Sequence, residues 1–475
     1  MLLFYVIPCV LWRGVLGLYP ERLILDLSPQ LSNLSTISAP NSNISGRWSA
    51  YGAPQPGVVV SVGTEEDVAI SVRYCVENGI QFLAQSGGHG WAQTFHLGSN
   101  GLLISLRRLN SVTFNGNKTQ VTIGGGALIS DLLSAAAGND TLVVTGNCNC
   151  VGALGAVLGA GYGNMMGSHG FGVDNILSLN VVLANGQLHT ITPADRNLFW
   201  ALRGAGPNFG IVTSATMKAY PFSTISSRVA WSGRLVFHPE KVEAVVRGIS
   251  ALRLRPEMNI FLVLSTTGAP HYTPQPAVTV FYYGSESEGR EAFTPILDIG
   301  PIEEQTAEVP YAQWNDWSAG FCVGGGYKSA YSAGINHLDP EAWRRTWEEY
   351  AAFASRNGTE NSVIFIETYP MEKARSLPDS SSSFPWRSRV TFNAIAIAWY
   401  YDRRFESGAD AWGRRLRDLW QESGGLDPPA AYVNFAHGDE GLRTIYGENV
   451  PRLQSIKEEV DPQNVFNQWF PLLDN

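Results

Sequence analysis

Residues 146–172 read GNCNCVGALGAVLGAGYGNMMGSHGFG, and residues 85–95 read QSGGHGWAQTF. Glycine loses more backbone freedom on folding than any other residue, so this density predicts loops rather than helix or strand interiors. Glycine-rich loops can hold phosphates through their backbone N–H groups. Each stretch also carries a nucleophilic side chain, Cys148 in the longer one and His89 in the shorter one. Together they predict a ligand site that the backbone approaches closely.

The composition is that of a folded protein with room for a large pocket. The chain has 475 residues, of which 44% are hydrophobic and 16% are charged. This length favours two domains, and the 14 tryptophans suit a pocket with apolar walls. The formal net charge is −9 and the sequence shows no basic stripe, which argues against nucleic acid as a partner.

Short strand patterns and helix patterns alternate around both glycine-rich stretches, which predicts an α+β fold. The stretch LSLNVVLANGQLHTI predicts a β-hairpin with Asn185-Gly186 at its turn. Beyond residue 222, runs such as NIFLVLSTT and amphipathic stretches predict an antiparallel sheet covered by helices. The aromatic residues of PEAWRRTWEEYAAFA recur near helical spacing and are interpreted as core. The AHGDEG stretch around His437 is interpreted as an exposed loop.

The N-terminal 17 residues, MLLFYVIPCVLWRGVLG, form an apolar run that is too short to span a bilayer and is interrupted by Arg13. The run predicts a signal peptide, with a buried N-terminal segment as the alternative. Five Asn-x-Ser/Thr sequons favour the secretory route. They lie at Asn33, Asn43, Asn117, Asn139 and Asn357. We therefore expect a secreted glycoprotein without a membrane span.

Other common site motifs do not occur in the sequence. GAGPNFG at 204–210 and GAGYGN at 159–164 lack the preceding strand and following helix that a dinucleotide fingerprint needs. Without a P-loop, HExxH or paired CxxC spacing, we predict neither an ordinary NAD or ATP enzyme nor a metal site. The scattered cysteines do not predict a disulfide framework. Cys148 and Cys150 are interpreted as either a strained pair or two buried thiols.

Several motifs follow one another in a fixed order along the chain. Ser86-Gly87-Gly88-His89 comes before GLLISL, and Gly146-Asn147-Cys148 comes before GAGYGNMMGSHGFGVDNIL. They are followed in order by RGAGPNFGIVT, YVNF and YGENVPRLQSIKEEVDPQNVF. This ordered set resembles the berberine-bridge-enzyme-like FAD-linked oxidases, of the vanillyl-alcohol-oxidase (PCMH) type, and in particular their fungal members. The resemblance is strong over 53–222 and 426–475 and weaker between them.

The resemblance implies a two-part FAD-binding domain of the PCMH type. One part is residues 53–222, and the other is the C-terminal segment 426–475, which returns to it. The substrate domain, an antiparallel sheet covered by helices, is inserted over 223–425. A signal peptide over 1–17 and a loosely structured leader over 18–52 precede them.

The resemblance also implies how FAD is held. In this family the histidine of the SGGH loop bonds to the 8α carbon of FAD, and in many members a cysteine matching Cys148 adds a bond to C6. It therefore implies covalent FAD at His89 and Cys148, with Cys148 favoured over Cys150. The other residues carried over as cofactor-binding are Ser86, Gly87, Gly88, Gly152, Gly155, Gly161, Tyr162, Asn164, Gly210, Val212 and Asn434.

The family's Tyr-x-Asn motif is Tyr432-Val433-Asn434 here, and in several relatives this tyrosine is the catalytic base. The resemblance implies this role for Tyr432, with Tyr369 as the second candidate and Glu367 as the third. It implies a monomeric oxidase of a small organic molecule in secondary metabolism, with O2 as the electron acceptor. A secreted oligosaccharide oxidase and a flavin-binding scaffold without redox turnover are the alternatives.

Overall fold

The structure is a computed structural model that describes residues 20–41 and 45–474, so the predicted signal peptide at 1–17 lies outside the described residues. Three sheets and the helices packed on them form an α+β fold, as predicted. The strands of the first sheet are Thr36–Ser38 (β1), Val58–Ser61 (β2), Phe82–Gln85 (β3) and Leu102–Ser105 (β4). Their order is β1-β2-β4-β3, and β4 pairs in parallel with both β2 and β3.

The second sheet is antiparallel and contains the predicted hairpin. Its strands are Val112–Phe114 (β5), Gln120–Gly124 (β6), Thr141–Val143 (β7), Ile176–Val182 (β8), Leu188–Ile191 (β9) and Ile211–Pro221 (β10). Their order is β5-β6-β10-β8-β9, and β7 also pairs with β10. Between β8 and β9, Gly186 has a φ of +68°, the left-handed conformation that this type of tight turn requires.

The third sheet has seven strands and is antiparallel throughout, as predicted for the middle of the chain. Its strands are Val229–Val236 (β11), Met258–Thr266 (β12), Pro274–Tyr282 (β13), Glu303–Pro310 (β14), Tyr327–Ile335 (β15), Val363–Thr368 (β16) and Phe392–Tyr400 (β17). Their order is β14-β11-β13-β12-β16-β17-β15, which puts β12 and β16 near the centre.

Helices accompany all three sheets. Before the third sheet they are Pro20–Leu27 (α1), Glu65–Asn78 (α2), Ile129–Gly138 (α3), Ala153–Gly159 (α4), Met166–His169 (α5) and Arg196–Ala205 (α6). After β11 they are Val242–Ala251 (α7), Glu286–Ala292 (α8), Thr294–Leu297 (α9), Pro340–Ala354 (α10), Glu372–Arg375 (α11), Glu406–Ser423 (α12), Leu442–Tyr446 (α13) and Val450–Val460 (α14). No helix within the described ranges combines the length and apolar character needed to cross a bilayer.

The aromatic residues of α10 form core, as predicted. The rings of Trp343 and Trp420 stack with centroids 5.5 Å apart, and those of Phe353 and Trp412 stack at 4.3 Å. Both pairs join α10 to α12 in the layer that covers the third sheet.

Two segments predicted as irregular contain regular structure. The glycine-rich run 146–172 includes α4 and α5, because Leu154 and Val157 are buried in the core and tertiary packing outweighs the low helix propensity of glycine. The leader includes α1, whose Leu23 and Leu27 are buried against the first sheet, and β1, which pairs with β2. The loose structure predicted for these stretches is therefore wrong where hydrophobic contacts hold them.

Candidate active site

The two glycine-rich stretches touch each other beside the end of β3. A Cβ placed on Gly87 would fall 2.6 Å from the backbone nitrogen of Gly152, and one placed on Gly152 would fall 2.5 Å from the Ser86 hydroxyl oxygen. Gly88 has a φ of +71°, in the left-handed region that favours glycine. The close approach therefore requires glycine at these positions. We call residues 86–90 and 146–155 the backbone wall.

A cavity of about 330 Å³ lies between the backbone wall and the third sheet, within the size range of small-molecule sites. Motifs from distant parts of the chain meet there. The predicted site residues that line it are Ser86, Gly87, Gly88, His89, Cys148, Gly152, Gly155, Tyr162, Glu367, Tyr369, Tyr432 and Asn434.

Four residues predicted to bind the cofactor lie outside the lining of the cavity. Gly161 has a φ of +81°, and its N–H donates to the Tyr432 hydroxyl at 3.3 Å. Asn164 is buried, and its N–H donates to the Oδ1 of Asn147 at 3.0 Å. Gly210 packs closely against β8, and Val212 is a buried residue of β10. Contact of these four residues with the cofactor stays a prediction.

His89 faces the cavity from a packed environment. Its imidazole stacks on the indole of Trp48, with ring centroids 5.4 Å apart and an angle of 21° between the planes. Burial, followed by the positive charges of Lys328 and Arg47, lowers the pKa of His89 to about 4. The imidazole is therefore neutral near pH 7, with a lone pair on one ring nitrogen.

The cysteines are paired in a way that the sequence did not predict. Cys150 forms a disulfide with Cys322, whereas Cys148 is a free thiol that lines the cavity. Burial raises the pKa of Cys148. Because the sequence separation in the disulfide is 172 residues, spacing gave no signal for it. Since the disulfide uses two of the three neighbouring sulfurs, one thiol is left, which is too few for a thiolate metal site.

Glu367 and Tyr369 form a hydrogen-bonded pair in the cavity. The Tyr369 hydroxyl donates to Oε2 of Glu367 at 3.2 Å and accepts from the Asn147 side-chain amide at 2.8 Å. Burial raises the pKa of Glu367 to about 8, and the bond from Tyr369 acts in the opposite direction. Burial and the neighbouring Glu367 raise the pKa of Tyr369 well above its usual value. Glu367 can therefore exchange a proton near neutral pH.

Tyr432 uses its hydroxyl group to hold the backbone behind the cavity. The hydroxyl accepts hydrogen bonds from the Gly161 N–H at 3.3 Å and the Asn434 side-chain amide at 2.8 Å. It donates to the Ala156 carbonyl oxygen, also at 3.3 Å. The pKa of Tyr432 is raised, mainly by burial, although the bond from Gly161 favours the phenolate. The Tyr-x-Asn motif thus ties the C-terminal segment to α4.

Alternate residues of the third sheet form the opposite side of the cavity. On β12, Ile260 and Leu262 belong to the core beneath the helices, whereas Phe261 and Val263 line the cavity. On β16, Phe365 lines the cavity beside Glu367. The lining also includes Trp317 and Phe321 from the segment before Cys322. We call Phe261, Val263, Trp317, Phe321 and Phe365 the aromatic wall.

The AHGDEG stretch, which the sequence predicted as an exposed loop, has Asp439 exposed but His437 buried. His437 is 3% exposed, and its Nδ1 lies 2.9 Å from the Ala330 carbonyl oxygen. Its ring stacks on Tyr331 with centroids 3.9 Å apart. Asp439 forms an ion pair with Arg417. These groups anchor the C-terminal segment to β15 and α12, and His437 does not line the cavity.

The residues around the cavity fit FAD. The Ser86 hydroxyl is buried and has no hydrogen-bond partner among the described residues, so a ligand atom would satisfy it. Gly155 lines the cavity, and a Cβ built on it would meet no protein atom within 4 Å, which leaves space for a ligand. His89 and Cys148, both able to form covalent bonds, line the same cavity.

Comparisons with known proteins match both the glycine-rich region and the C-terminal segment that meet at this site. The family model described as FAD binding domain matches residues 56–192, and the model described as berberine and berberine like matches residues 431–468. The FAD-linked oxidoreductase OXR1 of Pyricularia oryzae is 35% identical over 438 residues, which span 89% of this chain and 85% of the relative.

Two solved structures share the fold. The xylooligosaccharide oxidase of Myceliophthora thermophila C1, in complex with xylobiose, has a TM-score of 0.80 at 22% identity and covers 96% of this chain and 99% of its own. The glucooligosaccharide oxidase of Acremonium strictum, which carries a 6-S-cysteinyl, 8α-N1-histidyl FAD, has a TM-score of 0.79 at 18% identity, over 92% of this chain and 97% of its own. At these identities the likeness establishes the fold alone.

Proposed function

This chain belongs to the FAD-linked oxidoreductases of the berberine-bridge type, and we propose that it is an oxidase with covalently bound FAD that acts on a small apolar organic molecule. The observation that carries the proposal is that His89, Cys148, Glu367 and the aromatic wall all line one cavity. His89 and Cys148, which can hold the cofactor, thus lie in the same cavity as Glu367, which can exchange a proton, and the apolar surface of the aromatic wall.

The proposed tethers are His89 and Cys148. A neutral imidazole supplies the lone pair for the first bond, and Cys148, which is in no disulfide, can supply a thiolate for the second. Cys150, the competing candidate, is bonded to Cys322, which supports Cys148 as the second tether. Ser86 and the glycines of the backbone wall would contact the cofactor, because they line the cavity, where the Ser86 hydroxyl has no partner among the described residues and Gly155 leaves open space.

When bound, FAD would supply a hydride acceptor that O2 can reoxidise. The chain must remove a proton from the substrate, and we assign this role to Glu367, with Tyr369 as its hydrogen-bond partner. A pKa of about 8 allows the carboxylate to accept a proton near neutral pH. Tyr432 is the alternative base, but its hydroxyl is already bonded to Gly161, Asn434 and Ala156.

The aromatic wall favours an apolar substrate over a sugar. Sugar hydroxyls need many polar partners, whereas a site for an apolar ligand needs a few polar groups in an apolar lining. Phe261, Trp317 and Phe365 supply apolar surface around Glu367 and Tyr369. Fungal relatives that are FAD-linked oxidoreductases fit a substrate from secondary metabolism. The oligosaccharide oxidases among the structural neighbours support the carbohydrate alternative.

We also propose that the protein is a secreted, glycosylated monomer. The Cys150–Cys322 disulfide suits an oxidising compartment. The sequon residues Asn33, Asn117 and Asn357 are exposed. Asn139 is half-buried, and Asn43 lies outside the described residues.

Anaerobic substrate screening tests the proposed function. The purified protein would be mixed with apolar aromatic alcohols, phenols and amines in one set and with oligosaccharides such as xylobiose in a matched set. Bleaching of the flavin absorbance by the apolar set, followed by peroxide formation when air is admitted, is the expected result. Bleaching by oligosaccharides alone would establish the carbohydrate alternative, and bleaching by neither set would favour the scaffold.

A further inference from the structure

Lys328 is a fully buried cation for which the proposed function has no use. It lies on β15, and its ammonium group donates to the carbonyl oxygens of Trp48 at 2.6 Å and Gly325 at 2.5 Å. The ammonium nitrogen also lies 4.6 Å from the ring centroid of Trp48 and 4.1 Å from that of Trp399. Burying a charge costs free energy unless it is paired, and these partners are neutral. Packing alone therefore does not explain a lysine here.

Trp48 connects this cation to the SGGH loop. The same indole ring that contacts the ammonium group stacks on the imidazole of His89. The Trp48 backbone N–H also donates to the Gly88 carbonyl oxygen at 3.0 Å. The backbone N–H of Lys328 donates to the hydroxyl of Ser49, the residue after Trp48, at 2.9 Å. Lys328, Trp48 and His89 thus form one packed cluster.

A second cation, Arg47, reaches the same loop. Its guanidinium donates to Oε1 of Gln85 at 3.1 Å and to the Gly90 carbonyl oxygen. Lys328 and Arg47 are the charged groups that act on His89, and both are positive. A positive charge nearby disfavours a second positive charge on the ring.

We propose that Lys328, through its contact with the Trp48 ring that stacks on His89, adds to the effect of burial and helps keep His89 as the neutral imidazole that covalent attachment of FAD requires. Lys328 is then a positioning residue for cofactor attachment and not a catalytic residue. The inference rests on the proposed bond between His89 and FAD.

Attachment of FAD needs a free lone pair on the His89 ring. A ring nitrogen forms a bond to the 8α carbon, a C–H bond of that methyl group breaks, and the imidazole loses its N–H proton. The two electrons and two protons are taken up by the isoalloxazine ring, and O2 then removes them as hydrogen peroxide. A protonated imidazole has no lone pair on either nitrogen and cannot take this step.

The test measures covalent incorporation, independently of turnover. The full-length chain in a Cys148→Ala background, where His89 is the only proposed tether, is produced under riboflavin starvation and mixed with FAD in air over a series of pH values. Acid-stable flavin fluorescence in a denaturing gel gives the rate. Lys328→Met and Lys328→Gln remove the charge, and the glutamine keeps a donor for the Trp48 carbonyl. Lys328→Arg keeps the charge.

The unmodified Lys328 protein and Lys328→Arg should attach FAD at a nearly constant rate between pH 6 and 8. Lys328→Met and Lys328→Gln should move the midpoint of the acid limb upward by on the order of one pH unit. A lower rate with an unchanged midpoint in both uncharged variants would overturn the inference, because a loss of packing alone lowers the rate at every pH.

His89→Ala in the same background separates the inference from the proposed function. Complete loss of acid-stable flavin in His89→Ala, together with unshifted profiles in the Lys328 variants, would overturn the inference alone. Acid-stable flavin that persists in His89→Ala would overturn the attachment at His89 and the inference with it.

Discussion

The two sides of the cavity are built by different means. The backbone wall consists of two loops and the start of α4, and the loops approach each other so closely that Gly87 and Gly152 have no room for a Cβ. The aromatic wall combines side chains of a regular sheet with Trp317 and Phe321 from the segment before Cys322. On the sheet, Phe261 and Phe365 face the cavity because alternate residues of a strand face the same side. The first wall needs particular residues at fixed positions, whereas the second needs only large apolar ones. The residues of the backbone wall are therefore constrained by the need to hold a cofactor, whereas those of the aromatic wall can vary to select a substrate.

The largest expected effect is the loss of covalently bound FAD when both proposed tethers in the backbone wall are removed. His89→Ala combined with Cys148→Ala should remove all acid-stable flavin, because both proposed bonds are lost. Cys148→Ala alone should keep the flavin attached and restore its fluorescence in a denaturing gel, since a thioether at C6 quenches it. Acid precipitation followed by fluorescence imaging measures both.

Cys150→Ser is the matched control for this prediction. It breaks the disulfide with Cys322 but leaves both proposed tethers, so the flavin should stay attached and quenched. Fluorescence restored by Cys150→Ser and not by Cys148→Ala would move the second tether to Cys150.

The next effect concerns the polar group beside the aromatic wall. Glu367→Gln keeps the shape of the side chain but cannot accept a proton, so flavin reduction should slow by on the order of 100- to 10,000-fold. Tyr432→Phe should lower flavin loading, because three hydrogen bonds to the backbone and Asn434 are lost, and leave the reduction rate per bound flavin nearly unchanged. Stopped-flow reduction under anaerobic conditions, normalised to bound flavin, measures both. The reverse pattern would assign the base to Tyr432, as the sequence predicted.

The two walls also differ in how well the sequence predicts them. The glycines and His89 are found from sequence because a close backbone approach leaves no substitute for glycine at Gly87 and Gly152. The aromatic wall has no recognisable sequence motif, because many different apolar sequences can form a strand that has one face in a cavity. Glu367 follows the same alternation, and what sets it apart is a raised pKa, which arises only when distant residues bury it.

The same argument explains the other failures of prediction. The disulfide joins residues that are far apart in the chain, and His437 is buried by contacts with Ala330 and Tyr331 of β15. α4 forms within a glycine-rich run because its apolar residues are buried. In each case the deciding contact is made with a segment that local sequence patterns do not identify.

A smaller effect is the dependence of reduction on pH. The folded protein holds Glu367 with a pKa of about 8, raised chiefly by burial, so the proton-accepting carboxylate is the minor form below that pH. The reduction rate should therefore rise about tenfold per pH unit up to pH 7 and level off above pH 8. Glu367→Gln should flatten this profile, while Tyr369→Phe, which removes a bond that favours the carboxylate, should move the midpoint upward. A rate that is independent of pH between 6 and 9 would exclude Glu367 as the base.

The smallest effect compares two glycines within the backbone wall, Gly152 and Gly155. A Cβ on Gly152 would overlap the Ser86 hydroxyl, so Gly152→Ala should reduce the yield of soluble protein and its melting temperature. A Cβ on Gly155 would meet no protein atom, and alanine is favoured over glycine in a helix by about 0.5–1 kcal/mol, so Gly155→Ala should leave the fold intact. The methyl group would nevertheless enter the space that we assign to FAD, and flavin occupancy, measured as the ratio of flavin to protein absorbance, should fall. Full occupancy in Gly155→Ala would mean that this part of the backbone wall holds the shape of the loop and does not touch the cofactor.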